Sequence, residues 1–278
     1  MNYEYINKAN TASELGLYFN TNETQLLHYF EPELGLFVVE SPMVIERALA
    51  AGYEPVSFVM LESLADTYCK QFGILDLPIP VYVGDYDTIA GLTGVNITRG
   101  VLALMKRKPL PTLSELVSGF TRIAVFDDVE NPTNVGAMFR SAAALGIDAV
   151  ILTSSSADPL YRRASRVSVG TVFQVPWTKL DKKSATTAAY IKELHELSFK
   201  TAAMALTDNS ININDPRLKS EEKLAIILGN EGFGLSDKVL EESDYTVKIP
   251  MKHNVDSLNV AAASSIVFWE LTEGQPFI

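Results

Sequence analysis

Cysteine is nearly missing from this chain. Cys69 is the only one in 278 residues, so no intrachain disulfide can form, as expected of a protein kept in a reducing cytoplasm. Histidine is almost as scarce: His28, His195 and His253 are scattered along the sequence. With a single thiol they form no cluster of zinc-ligand spacing, and no metal is expected. No apolar run approaches the about 18 residues of a membrane-crossing helix, so no membrane span is expected. The N-terminal MNYEYINKANTASEL lacks a basic run followed by an apolar stretch, which argues against a secretory signal. Positive charge is in deficit, with 23 Lys and Arg against 34 Asp and Glu and a formal net charge of −11. That balance excludes a large non-specific nucleic-acid surface and leaves room for local basic patches. One candidate is Arg99, Lys106, Arg107 and Lys108; a second is Arg162, Arg163 and Arg166. Each alone reads first as a solvated face and second as a nucleic-acid contact. Also missing are G-x-G-x-x-G after a strand and G-x-x-x-x-G-K-[ST], the familiar dinucleotide and phosphate loops.

What the chain does have is a 47% hydrophobic composition, enough for a sizeable core and against wholesale disorder. Its length accommodates two domains of ordinary size. Residues 1–30 are polar and mixed and show no clear element. From about residue 35, strands and helices alternate. Strands are expected at 36–39, 57–61, 80–83 and 100–105, with helices between them; Ser41 is expected as a helix N-cap with Pro42 in the first turn. The charged, proline-bearing KRKPLPTL at 106–113 reads as the start of a linker. Strands then recur at 123–126, 149–152, 201–206 and 224–228, with a closing helix from about Ser257 to Leu271. The division is thus an N-terminal segment and domain at 1–105, a linker at 106–120 and a second domain at 121–278. Such alternation predicts an α/β fold with a parallel sheet covered on both faces.

Three short blocks place glycines and polar groups directly after apolar runs, where α/β sheets put ligand sites. The first is NPTNVGAMFR at 131–140, the second GNEGFGL at 229–235, the third IPMKHNVDSLNV at 249–260. In the first, Ala137, Ser141 and Ala144 make a small-residue stripe at helical spacing, fit for a close backbone contact. Arg140 beside it is either a surface partner of Asp127 or Asp128 or an anchor for phosphate or ribose. Asn131 and Asn134 serve as turn and cap residues or line a site. Glycines of the second block permit close ligand approach or simply a tight strand-to-helix turn. Glu231 among them favours a specific hydrogen bond. Ser257 reads as the N-cap of the last helix; Asn259 has no such simple role.

Taken together, the blocks closely resemble the SpoU/TrmH-type ribose 2′-O-methyltransferases of the SPOUT superfamily. That pattern runs N-x-x-A-x-x-R, then G-x-E-x-x-G-L-S, then I-P-M followed by S-L-N-V. Here it falls on Asn134, Ala137 and Arg140; Gly229, Glu231, Gly234, Leu235 and Ser236; Ile249, Pro250, Met251, Ser257, Leu258, Asn259 and Val260. The region before it loosely resembles the small RNA-binding α/β domain that precedes the catalytic domain in many members. The resemblance implies S-adenosylmethionine as methyl donor, a deep C-terminal trefoil knot and a homodimer through the C-terminal domain. It assigns donor contacts to Leu206, Thr207, Gly229, Asn230, Glu231, Gly232, Ile249, Met251 and Leu258. It gives Arg140 the activation of the 2′-hydroxyl, with Asn134, Glu231, Ser257 and Asn259 around ribose and donor. Because a guanidinium keeps its proton, Arg140 acts more easily by binding phosphate and orienting the hydroxyl than as a free base. Two positions depart from the pattern: His253 and Asn254 stand where a glycine is usual, and Ala261 where a serine is common. The substrate expected is structured RNA, ribosomal RNA first. The rival readings are a transfer-RNA enzyme and a non-catalytic RNA-binding relative.

Overall fold

The computed structural model of the chain describes residues 3–6, 15–19, 21–27, 35–93, 97, 99–183, 188–230, 232–253 and 255–272. Two compact units divide it: Met1–Pro109 with Leu160–Phe173, and Leu110–Pro159 with Gln174–Ile278. The sequence-based division places residues 160–173 in the second domain; in the structure they pack with the first unit. Thr112 opens a short helix, Leu113–Leu116, through a reciprocal capping box with Glu115. Its Leu113 and Leu116 are buried in the core of the second unit, so part of the expected linker is anchored there.

The first unit holds a five-stranded sheet of β1 (Tyr3–Tyr5), β2 (Leu36–Glu40), β3 (Pro55–Leu61), β4 (Val81–Gly84) and β5 (Val101–Lys106), in the order β1-β4-β3-β5-β2. β5 runs antiparallel to both neighbours; the other pairings are parallel. The polar N-terminal stretch contributes more than its composition announces. Its short helices, Gly16–Phe19 and Glu23–Leu27, send Tyr18 and Leu26 into the core. The Tyr18 hydroxyl pairs with Ser57 Oγ at 2.8 Å and accepts from the Leu104 amide at 3.1 Å. Isolated apolar residues in helices this short leave no periodicity to read. Helix Pro42–Ala50 starts with Pro42 in its first turn, as expected, but Ser41 makes no side-chain cap hydrogen bond and sits at φ 86°. The missing proline N–H already removes one orphan donor.

All seven strands of the second unit run parallel: β6 (Arg122–Phe126), β7 (Ala149–Leu152), β8 (Trp177–Lys179), β9 (Lys200–Met204), β10 (Ile211–Asn212), β11 (Leu224–Leu228) and β12 (Tyr245–Lys248). Their order is β10-β12-β9-β11-β6-β7-β8. β11 is the centre, and all five of its residues, Leu-Ala-Ile-Ile-Leu, are buried, as a strand covered on both faces requires. β8 and β10, with three and two residues, are too short to show alternation and were not anticipated. Helix Pro132–Ala144 packs against helix Val260–Thr272. The small-residue stripe meets it: Ser141 Oγ lies 2.8 Å from Ser265 Oγ, and Thr272 Oγ1 donates to the Leu145 carbonyl at 2.6 Å. Arg122 secures the end of the closing helix. Its guanidinium donates to the carbonyls of Leu271, Glu222 and Glu221 at 3.2, 2.9 and 2.8 Å.

Candidate active site

A parallel sheet directs the C-terminal ends of its strands to one edge, and ligands bind in the crevice outside that edge. Four of the segments that leave from there concern the three sequence blocks and their neighbour. Residues 127–134 follow β6, 205–207 follow β9, 229–235 follow β11, and 249–258 follow β12. The last three enclose a cleft of about 390 Å³, within the size range of small-molecule sites. Leu206, Thr207, Gly229, Asn230, Gly232, Ile249, Met251 and Leu258 all line it, and so does Ser257. Glu231 lies outside the described residues.

The loop after β11 is held tightly by its own asparagine. Asn230 Oδ1 accepts from the Gly232 amide at 2.7 Å, its carbonyl accepts from Gly234 N at 3.0 Å, and its Nδ2 donates to the Asp128 carbonyl at 2.9 Å. Gly229 is required by close approach: a Cβ there would stand 2.7–2.8 Å from the Leu235 side chain and the Gly234 backbone. Gly234 holds φ +69°, a conformation glycine adopts freely. Phe233 between these glycines is 97% exposed at the cleft wall. The turn after β9 is fixed by Ser210, whose Oγ accepts from Thr207 N at 2.8 Å and donates to the Ala205 carbonyl at 2.9 Å.

The third block corrects the sequence reading. The closing helix begins at Val260, and Asn259 caps it: Oδ1 accepts from Ala261 N at 3.0 Å and Ala262 N at 3.4 Å. Ser257 is exposed, lies in the extended approach to the helix and faces the cleft instead. Serine and asparagine are near-equal cappers, so local sequence could not choose between them. At the first block Asn131 is the cap, its Oδ1 accepting from Thr133 N at 2.9 Å. Asn134 is buried, and its Oδ1 accepts from Asn259 Nδ2 at 3.3 Å. These two asparagines therefore tie the starts of both packed helices together beside the cleft without lining it. Arg140 is exposed on helix Pro132–Ala144 and is not part of the cleft lining. Among the described residues it makes no ion pair, so its pairing with Asp127 or Asp128 does not occur there.

Sequence reasoning missed several lining residues. Met204, Val247 and Lys248 could have been found as the last residues of their strands, and Ala205 as the residue after β9. Leu240 and Ala263 reach the cleft from helices, and nothing local marks them. Lys248 and Asp256 are the charged side chains of the lining among the described residues.

Asp127, first after β6, is a further perturbed group. It is 8% exposed, and burial, then neighbouring Asp128, raise its carboxyl from 3.8 to about 6. Thr153 Oγ1 donates to Asp128 rather than to it, at 2.9 Å. Tyr190 faces Asp127 with its hydroxyl buried and outside hydrogen-bond geometry, and burial pushes that phenol upward. An acid raised on folding binds its proton more tightly in the folded chain. Its ionisation therefore costs stability as pH climbs from about 4 to about 6, and the full cost, roughly 3 kcal/mol, stands above that window. Asp127→Asn should thus gain stability relative to the parent at pH 7.5 and lose that gain at pH 4. Urea unfolding at both pH values measures it; an equal difference at the two would refute a buried, raised carboxyl.

Comparison with known proteins places these features in context. Residues 121–269 match the model of the SpoU rRNA Methylase family. An uncharacterised tRNA/rRNA methyltransferase of Mycobacterium bovis is 36% identical over 239 residues, 85% of this chain and 81% of that protein. The Bacillus subtilis 23S rRNA (guanosine(2553)-2′-O)-methyltransferase RlmP is 27% identical, over 84% of this chain and 88% of that one. Among solved structures, an AdoMet-bound rRNA methyltransferase from Sinorhizobium meliloti superposes with a TM-score of 0.79 at 21% identity, covering 99% of both chains. The SpoU methyltransferase AviRb of Streptomyces viridochromogenes, in complex with AdoMet, gives 0.70 at 21% identity, covering 85% of this chain and 89% of that chain.

Proposed function

The chain belongs to the SpoU rRNA methylase family and is an S-adenosylmethionine-dependent RNA methyltransferase, and on that premise we propose that it methylates a ribose 2′-hydroxyl in structured RNA, ribosomal RNA first. The observation that carries the reading is the cleft itself. The strand-end loops at 205–207, 229–235 and 249–258, far apart in sequence, close around one space of about 390 Å³. Its residues suit the donor. Gly229 leaves room where a Cβ would collide with backbone, and the walls are mostly apolar with Thr207, Asn230, Lys248, Asp256 and Ser257 among them. Leu206, Thr207, Gly229, Asn230, Gly232, Ile249, Met251 and Leu258 would hold the donor, and Glu231 completes the set as the sequence pattern implies.

When bound, S-adenosylmethionine supplies an already activated methyl group on a sulfonium. The protein's task is then alignment and polarisation. Arg140 binds the neighbouring phosphate through its planar fork and orients the hydroxyl, while its own proton stays in place. Asn134 and Asn259 position the third block through their mutual hydrogen bond, and Ser257 presents a hydroxyl to the cleft. The insertion of β11 between β6 and β9, with β12 beyond β9, supports the deep trefoil knot of the family. The first unit serves as the RNA-binding domain, and the protein works in the cytoplasm.

A homodimer through the second unit supplies what one chain lacks. Arg140 is exposed and is not part of its own cleft lining, and Ile266 and Trp269 are exposed on the helix packed against its own, 41% and 54%. We assign the Arg140 of one protomer to its partner's cleft. Val260, Val267 and Phe268 cannot contribute to that interface, because they are buried within the chain.

Calorimetry should show donor binding that a chelator leaves unchanged; no heat with the donor would overturn the reading. Arg140→Ala should lower the single-turnover rate on ribosomal RNA by about 10²–10³, the cost of a lost oxyanion donor, with donor affinity intact, and Arg140→Lys should recover little. A near-normal rate would return Arg140 to the surface. Turnover on transfer RNA with none on ribosomal RNA would establish the tRNA reading instead. Mixing Arg140→Ala with a cleft-blocked Gly229→Ala should restore about a quarter of parental activity if the dimer is two-fold and each site is shared. No recovery, or a monomer by light scattering, would refute the shared site.

A further inference from the structure

The proposed RNA substrate leaves the docking face unassigned. We infer that the β2 edge of the first unit is a track for the RNA phosphate backbone, built jointly by residues 106–108 and helix Arg162–Val167. This deepens the RNA reading and rests on it. The two basic clusters are far apart in sequence, and each alone looks like an ordinary solvated face. The fold brings both to one strand. β2 is the outer strand of its sheet, paired on one side with β5, and helix Arg162–Val167 packs against it. At one end, buried Glu40 accepts from Arg162 Nε at 2.8 Å and lies 3.6 Å from Arg166 Nη1. At the other end, Leu36 pairs with Lys106 across the ladder, and Arg107 Nε donates to the Leu36 carbonyl at 3.3 Å while its guanidinium stands 5.9 Å over the Phe37 ring. Lys108 Nζ lies 4.8 Å over the Tyr53 ring. The Phe37, Tyr53 and Phe173 rings pack together at 5.2–6.0 Å, so an aromatic cluster joins both segments. Arg47 Nη1 adds a bond to the Val169 carbonyl at 2.7 Å.

Charge decides what such an edge suits. Lys106, Arg107, Lys108, Arg162, Arg163 and Arg166 bring six positive charges to this edge, on a chain whose net charge is −11; Glu54 pairs with Lys106, and Glu40 with Arg162 and Arg166. The ends of β2 are roughly 13 Å apart at 3.3 Å per residue, a span for several backbone phosphates. Lys106, Lys108, Arg163 and Arg166 are exposed.

The test is charge reversal in the full-length chain. Lys106→Glu, Lys108→Glu and Arg163→Glu are combined, with Lys192→Glu plus Lys238→Glu in the second unit as control. Affinity for a transcribed ribosomal RNA fragment is followed against potassium chloride concentration. The triple variant should bind at least about tenfold more weakly at low salt and lose about 2–3 from the slope of log affinity against log salt. Donor affinity and melting temperature should match the parent, and the control pair should keep the parental slope. A parental slope in the triple variant would overturn this surface alone. A parent that binds donor but shows no salt-dependent RNA affinity would remove the RNA reading and the surface with it.

A separate observation concerns Phe233. We propose that its ring is a stacking platform for a nucleobase beside the target ribose. A phenylalanine 97% exposed is uncommon on a folded surface, and this one stands at the cleft wall on a loop fixed at both sides by Asn230. Stacking on an aromatic face suits RNA bases presented singly. Phe233→Ala should raise the RNA KM by about tenfold or more, with donor affinity and dimer mass unchanged, and Phe233→Trp should restore it. An unchanged KM, or an equal loss in donor affinity, would refute the platform; loss of the dimer would reassign Phe233 to the subunit interface.

Discussion

The central constraint is that β11 lies between β6 and β9 with every side chain buried. A strand so placed satisfies its backbone only through both neighbours, so Leu224 to Leu228 must pair in register with Arg122 to Phe126 on one side and with residues 200–203 on the other. That register fixes where each strand stops. The pairing continues past the strand end as the Asp127 amide donates to the Leu228 carbonyl at 2.8 Å. The next link is Asn230 Nδ2 on the Asp128 carbonyl. The glycine loop is thus positioned by the same ladder that holds the sheet.

Some features that cost stability lie at this edge. Asp127 is buried as a carboxyl, the Tyr190 hydroxyl is buried with no hydrogen-bond partner among the described residues, and Asp128 holds positive φ, as Ser41, Val169, Ala188, Ser198 and His253 do elsewhere. Burying polar groups without full compensation is unfavourable. Asp127 and Asp128 follow β6 directly, and Tyr190 faces Asp127 from helix Ala189–Glu196. Local rules are broken where the chain must shape a site, as consistency arguments anticipate. Ser41, in the other unit, has no such account.

How much was legible depended on length and on how local the signal was. Strands 149–152 and 224–228 were read to the residue because they are continuous apolar runs bounded by turns. The cleft was legible because the glycines and polar residues read from the sequence follow β9, β11 and β12 directly. The asparagine pair was not, since Asn134 and Asn259 meet only after two helices pack, and no spacing rule spans such a distance. Ser257 and Asn259 exchanged roles for the same reason: both residue types cap helices, and the packing partner chooses. The segment at 160–173 escaped because its position in the sequence belongs to one unit and its contacts to the other.

Charge placement gives the parts a common logic. Phosphate contacts supply affinity that is blind to sequence and strongly salt-dependent. A chain basic all over would hold any RNA in many orientations, most of them with the target ribose far from the cleft. Here the chain is acidic as a whole, and six cations from two distant segments gather at one edge of the first unit. On the proposed reading, weak electrostatic capture occurs along that edge, and the rest of the surface repels. Selectivity then falls to contacts that only a correctly seated ribose can satisfy. Arg140 fits that role: it is exposed and makes no ion pair among the described residues. A residue spared structural duty can be strict about what it binds, because nothing in the free chain has to be given up for it to engage.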